Sequence, residues 1–91
     1  MVGGKEGLEL AAIALAHTNP EVRRVGTFGA YRAHGERALP LIEKALGDGD
    51  EKVRKEAARG LENIRQTLAA TNEKDPTVLQ ALKDAEARMK K

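Results

Sequence analysis

Leu8, Ala11, Ala12, Leu15 and Ala16 recur at the three- and four-residue spacing of one helix face, which predicts a helix over Lys5–His17. Thr18-Asn19-Pro20-Glu21 then stops the chain and restarts it. Asn19 suits an N-cap, and Pro20 at the first helical position loses only an N–H that would have no partner. The second helix is expected over Pro20–His34, closed by Gly35. A third is expected over Glu36–Leu46, with Pro40 in its first turn, where the ring is tolerated. Gly47-Asp48-Gly49-Asp50 is a turn whose last residue caps a fourth helix, Glu51 to about Ala70. That helix carries a stripe of Val53, Ala57, Gly60, Leu61, Ile64 and Leu68. Thr71–Lys74 reads as a loop, and Asp75-Pro76 starts a fifth helix with the stripe Val78, Leu82, Ala85 and Met89. Met1–Gly4 reads as a flexible lead. No run keeps the period-two alternation of a strand. The fold class expected is all-α: two antiparallel helix pairs and a C-terminal capping helix in one domain, 1–91.

The chain also repeats itself. A shift of 31 residues lays Leu8 on Leu39, Leu10 on Leu41, Ala14 on Ala45, Leu15 on Leu46, Val22 on Val53, Arg23 on Arg54 and Gly29 on Gly60. Arg24 falls on Lys55, and Asn19 on Asp50. Core and cap positions are the ones kept, as a repeated packing unit requires. The units are 8–34 and 39–65, with 75–90 as the cap. The segment from Ala38 to Leu61, with Leu46, the Asp48/Asp50 turn, Val53-Arg54 and Ala57-Ala58, resembles a HEAT-like repeat of the phycobilisome-lyase type. Asn19-Pro20-Glu21-Val22-Arg23 is a weaker copy. The resemblance implies a scaffold or binding module, and it implies that Arg23 and Arg54 reach acidic turn residues of a neighbouring unit, Asp48 or Asp50 for Arg23. Helix five departs from the pattern: Leu79 and Gln80 stand where basic residues are expected, and Asp84 where the shift needs Val. It therefore reads as a cap or as a helix folded back on the others. Two units and a cap fall short of the about three repeats a solenoid needs. That points to an excised fragment, an engineered protein or a compact bundle.

The two units differ most in their second helices. Helix four carries Glu56, Arg59 and Glu62 where helix two carries Val25, Phe28 and Tyr31. Helix two is thus apolar on two sides, with Val22, Gly26, Gly29 and Ala33 on the other. A helix apolar nearly all round is buried or covered by a partner. Helix five could cover it in a bundle; in an open solenoid the second face would be a binding surface. Each interior glycine costs about 1 kcal/mol against alanine, so Gly26 and Gly29 imply either the close approach of another helix or room for a ligand.

Composition limits the chemistry. Only two of 91 residues are aromatic, so the core must be Leu, Ile, Val and Ala. There is no Cys and no Ser, which removes disulfides, thiolate metal sites and serine triads. The N-terminus lacks the apolar region of a signal peptide, and the longest apolar run, Leu10–Ala16, falls far short of the about 20 residues that span a bilayer. A cytoplasmic location without membrane insertion is expected. His17 and His34 lie at helix ends, where the macrodipole favours a cation, and neither has a partner at metal-ligand spacing. Gly47–Asp50 lacks the third acid and the terminal Glu of a calcium loop. Gly26-Thr27-Phe28-Gly29 lies within a helix rather than in a phosphate-cradling turn. The net charge of +2 and the interleaving of Arg23, Arg24, Arg32 and Arg37 with Glu21, Glu36 and Glu43 argue against nucleic acid.

The expectation is a non-enzymatic module, without cofactor, metal or catalytic residues, that binds another protein or a second copy of itself. Its binding residues would be Arg24, Val25, Phe28, Tyr31, Arg32 and Lys55. The alternatives are a small-molecule or catalytic pocket beside Gly26, Gly29 and His34, and contact with a nucleic-acid backbone.

Overall fold

The structure, a computed structural model, describes residues 4–72 and 74–89, with side chains from Leu8 onward. The described residues form five α-helices and no strand: α1 (Gly4–Leu15), α2 (Pro20–His34), α3 (Leu39–Leu46), α4 (Glu51–Thr71) and α5 (Pro76–Met89). Of the expected lead, residues 1–3 lie outside the described part, and Gly4 already belongs to α1. The expected end of the cap at residue 90 also lies outside it.

The caps form as their side chains dictate. Asn19 Oδ1 accepts the Glu21 N–H at 2.9 Å, and Asp50 Oδ1 accepts the N–H groups of Lys52 and Val53 at 2.8 and 3.2 Å. Asp75 Oδ1 accepts from Thr77 N at 2.9 Å. Gly35 closes α2 at φ +56°, a left-handed backbone that glycine adopts freely. The third helix begins later than Glu36. Residues Gly35–Ala38 wind as a 3-10 turn, and α3 starts at Leu39. An α-helix running from Glu36 through Pro40 would need a Pro40 N–H for the Glu36 carbonyl, and proline has none. The first helix stops at Leu15 rather than His17, because Ala16 and His17 turn toward the cap of α2.

α1 and α2 fold back on each other, as do α3 and α4, and α2 stacks on α4. The core is aliphatic: Leu15, Leu39, Ile42, Val53, Leu61 and Ile64 are all buried, with Ala30, Ala38, Ala45, Ala57 and Ala85 between them. Burial stabilises each large side chain by about 1.5–3 kcal/mol. α5 lies on α3 and touches α4, so it takes the place of a third unit's first helix instead of folding over α2. Val78, Ala81 and Leu82 seat it against the core. Arg65–Glu86 at 3.0 Å and Arg88–Glu43 at 3.5 Å fix its edges.

The 31-residue repeat is visible in hydrogen bonds. Arg23 Nη1 donates to the His17 carbonyl at 2.9 Å; one unit on, Arg54 Nη1 donates to the Asp48 carbonyl at 2.7 Å. The Asn19 N–H donates to His17 Nδ1, and the Asp50 N–H to Asp48 Oδ1. His17 thus stands in the first turn where Asp48 stands in the second. Arg23 also bridges the units. Its Nε and Nη2 donate to the two carboxylate oxygens of Asp48 at 2.9 and 3.1 Å. This is the inter-unit contact that the resemblance implied for Arg23; Arg54 instead reaches the Asp48 carbonyl within its own unit. Burial alone would raise the Asp48 pKa. The hydrogen bonds from Arg23 and the Asp50 N–H, with the charges of Arg23 and Arg54, outweigh burial and hold it below its ordinary value.

Asp48→Asn is expected to destabilise the fold by about 1.5–3 kcal/mol, the range for hydrogen bonds to charged groups. Because the folded carboxyl is the stronger acid, its contribution is present above the unfolded value of 3.8 and disappears as pH falls below it. Urea titrations of both proteins at neutral pH and in acid should show the difference between them shrink in acid.

Candidate functional site

Two surfaces of α2 matter: the one against α4, and the one turned away from it. On the α4 side, Tyr31 is buried and its ring lies over Gly60, where any Cβ would collide with it. The Tyr31 hydroxyl donates to Glu56 Oε2 at 2.7 Å. Glu56 is 5% exposed, and its other oxygen accepts from Arg24 Nη1 at 3.2 Å. Arg24 in turn donates twice to Glu21, at 2.9 and 2.7 Å. A buried carboxylate is tolerable only with such partners. Thr27, also buried, satisfies its hydroxyl on the Arg23 carbonyl at 2.8 Å. Among the described residues no buried side-chain polar atom lacks a partner.

The structure therefore divides the six expected binding residues. Tyr31 and Arg24 hold the two units together. Val25 and Phe28 are 52% and 43% exposed. Phe28 meets the Tyr31 ring edge-on, with centroids 5.6 Å apart and planes at 79°, and the Arg32 guanidinium lies 5.6 Å from the Phe28 centroid. Lys55 is exposed and lies 3.9 Å from Glu51. Val25, Phe28 and Arg32 thus share the outer side of α2, while Tyr31 supports Phe28 from beneath.

The glycines differ too. A Cβ on Gly26 would lie 2.7 Å from Ala14 Cβ, so Gly26 serves close packing of α1 on α2 rather than a ligand. Gly29 has nothing within 4 Å of where its Cβ would be, and it faces solvent. His34 is half-buried at the end of α2.

Leu10 and Ile13 on α1 were missed from the sequence, where the helix stripe passes through Leu8, Ala11 and Leu15. They are 61% and 68% exposed. The Ala14–Gly26 and Arg23–His17 contacts run in opposite directions along the two helices, so α1 and α2 are antiparallel. Leu10 and Ile13 flank Ala14, and Val25 and Gly29 flank Gly26, so all four border one seam. The signal was present in the apolar run Leu10–Ala16, which covers more helix faces than one core can take.

A family model for HEAT repeats matches residues 8–89, nearly the whole chain. The chain belongs to the HEAT-repeat family. The match runs through α5, in agreement with the placement of α5 as a third unit's first helix. No curated protein and no solved structure matches the chain significantly.

The contact between units carries most of the polar side chains that the sequence offers for chemistry. Asp48 is occupied by Arg23 and the Asp50 N–H, and Asp50 caps α4, so the Gly47–Asp50 turn has no carboxylate to spare for a cation. Among the described residues no group of three or more His, Asp or Glu could hold a metal. None of the helices is long and apolar enough to cross a membrane. Two of the four arginines weighed for nucleic acid, Arg23 and Arg24, are engaged within the HEAT stack.

Burial and the neighbouring Glu56 carboxylate push the Tyr31 phenol up to about 12. It is the only tyrosine, so ultraviolet absorbance reads it alone. Phenolate should appear near pH 12 in the folded chain and near 10 in denaturant. The folded pKa is the higher one, so the phenol's contribution to stability is full below pH 10 and is lost as pH rises through about 12. A folded-state titration near 10 would mean that the hydroxyl is not held by Glu56.

Proposed function

We propose that this chain is a non-enzymatic HEAT-repeat module that binds another protein or a second copy of itself through the first helix pair. The supporting observation is where the exposed apolar side chains lie. Six large hydrophobic residues are exposed among the described residues, and four of them, Leu10, Ile13, Val25 and Phe28, belong to α1 and α2. Single exposed apolar residues are ordinary, but a cluster beside a seam marks an interaction surface. Phe28 is the anchor, since aromatic and arginine side chains carry disproportionate binding energy at interfaces. Arg32 lies over it and would screen the ring from water at the rim. Arg24 and Tyr31 position these residues through Glu56, whereas Lys55 lies on the other side of α4, in a groove with Leu46 and Met89.

A photo-reactive phenylalanine analogue in place of Phe28 should form protein adducts in the cell that produces the chain. The same analogue in place of Asn63, exposed on α4, should form few. Equal adducts at the two positions, or none at either, would overturn the reading.

A further inference from the structure

The two units can be laid on each other residue by residue, and the comparison shows what kind of surface α2 presents. Val53, Glu56, Gly60 and Ile64 on α4 are all buried between α3 and α2, and Arg24 and Tyr31 of α2 reach Glu56 and Gly60. Their counterparts on α2 are Val22, Val25, Gly29 and Ala33. Val25, Gly29 and Ala33 are exposed, and Val22 is half-buried. This side of α2 is thus a second copy of a stacking face, without the helix that covers the first. On α4 the notch at Gly60 is filled by an aromatic ring whose hydroxyl needs the Glu56 carboxylate. On α2 the notch at Gly29 is empty, and Val25 stands where the carboxylate was. The matching ring is therefore one without a hydroxyl.

We propose that the occupant is a second copy of this chain, in a two-fold dimer that places each Phe28 against the partner's Gly29. The chain has two aromatic residues, and Tyr31 is already buried against α4, so Phe28 is the ring available. Phe28 and Gly29 are adjacent on α2, so a two-fold axis passing between them satisfies both contacts at once, as a self-complementary interface requires. The same register sets the aliphatic stem of Arg32 on the partner's Val25, with its guanidinium one turn from the partner's Glu21. Leu10 and Ile13 flank the seam and extend the buried surface. Head-to-tail stacking does not fit, because the counterpart of Tyr31 on the other end of the molecule is Glu62. The dimer deepens the binding role proposed above and rests on it.

The test is the mass of the purified full-length chain across a concentration series, by sedimentation equilibrium. A monomer–dimer equilibrium is expected. Gly29→Gln fills the notch with a good helix former, so the fold should persist with an equal or higher unfolding midpoint while the dimer weakens by about tenfold or more. Phe28→Ala should weaken it similarly, and Leu79→Glu, on α5, should leave it unchanged. A chain that stays monomeric at every concentration would overturn the proposal. So would a dimer lost in Leu79→Glu but untouched by Gly29→Gln. A monomer whose Phe28-site adducts in the cell contain a different protein overturns the dimer and leaves the binding role standing. A monomer with no such adducts overturns both.

Discussion

The buried carboxylate of Glu56 is the constraint around which the fold is arranged. A negative charge between two helices is costly to desolvate, and it persists only because Tyr31 and Arg24 reach it from α2. Tyr31 can reach it because Gly60 has no side chain in the path of the ring. Arg24 is held at the right height by Glu21. Next to this knot, Arg23 clamps Asp48 and caps the end of α1, so the turn of one unit and the second helix of the other are set together. Aliphatic burial supplies most of the stability of a chain this small, but it is not directional. The polar knot selects which helix face meets which, and thereby which face of α2 is left outside.

That division explains why α2 looked over-supplied with apolar residues. One face closes on α1 through Gly26 and Ala14, one closes on α4 through Tyr31, and a third carries Val25, Phe28 and Gly29 toward solvent. With the polar knot of Arg24 and Tyr31 taking the α4 side, an apolar face toward α1 and another toward solvent are more than a two-unit stack can cover. The excess falls at the side where the second unit's equivalent residues are already covered, and that correspondence turns an exposed patch into an interpretable surface.

Much of this was legible in the residues. The bounds of α2, the caps at Asn19, Asp50 and Asp75 and the closure at Gly35 follow from local chemistry, and the Arg23–Asp48 bridge is one of the two that the HEAT-like resemblance implied. The fate of Tyr31 was not legible. Its spacing places it with Val25 and Phe28, but its partners Glu56 and Gly60 are more than twenty residues away and meet it only once the units stack. The late start of α3 is not visible in the helix-face pattern, because it depends on Pro40 having no N–H for the Glu36 carbonyl. The exposure of Leu10 and Ile13 was missed because a core stripe could be drawn without them. The position of α5 depended on a choice between stacking and folding back that its own sequence does not encode.

The coupling between Tyr31 and Glu56 tests the central claim most directly. In a double-mutant cycle of Tyr31→Phe and Glu56→Leu, followed by chemical denaturation at neutral pH, the two losses should be far from additive. A coupling energy of about 1–3 kcal/mol is predicted, as for groups sharing a buried network. Each single variant strands the other partner, and the double variant strands neither. Additivity within about 0.5 kcal/mol would contradict the account, because it would mean that the carboxylate and the phenol do not depend on each other and that the α2–α4 register is set elsewhere.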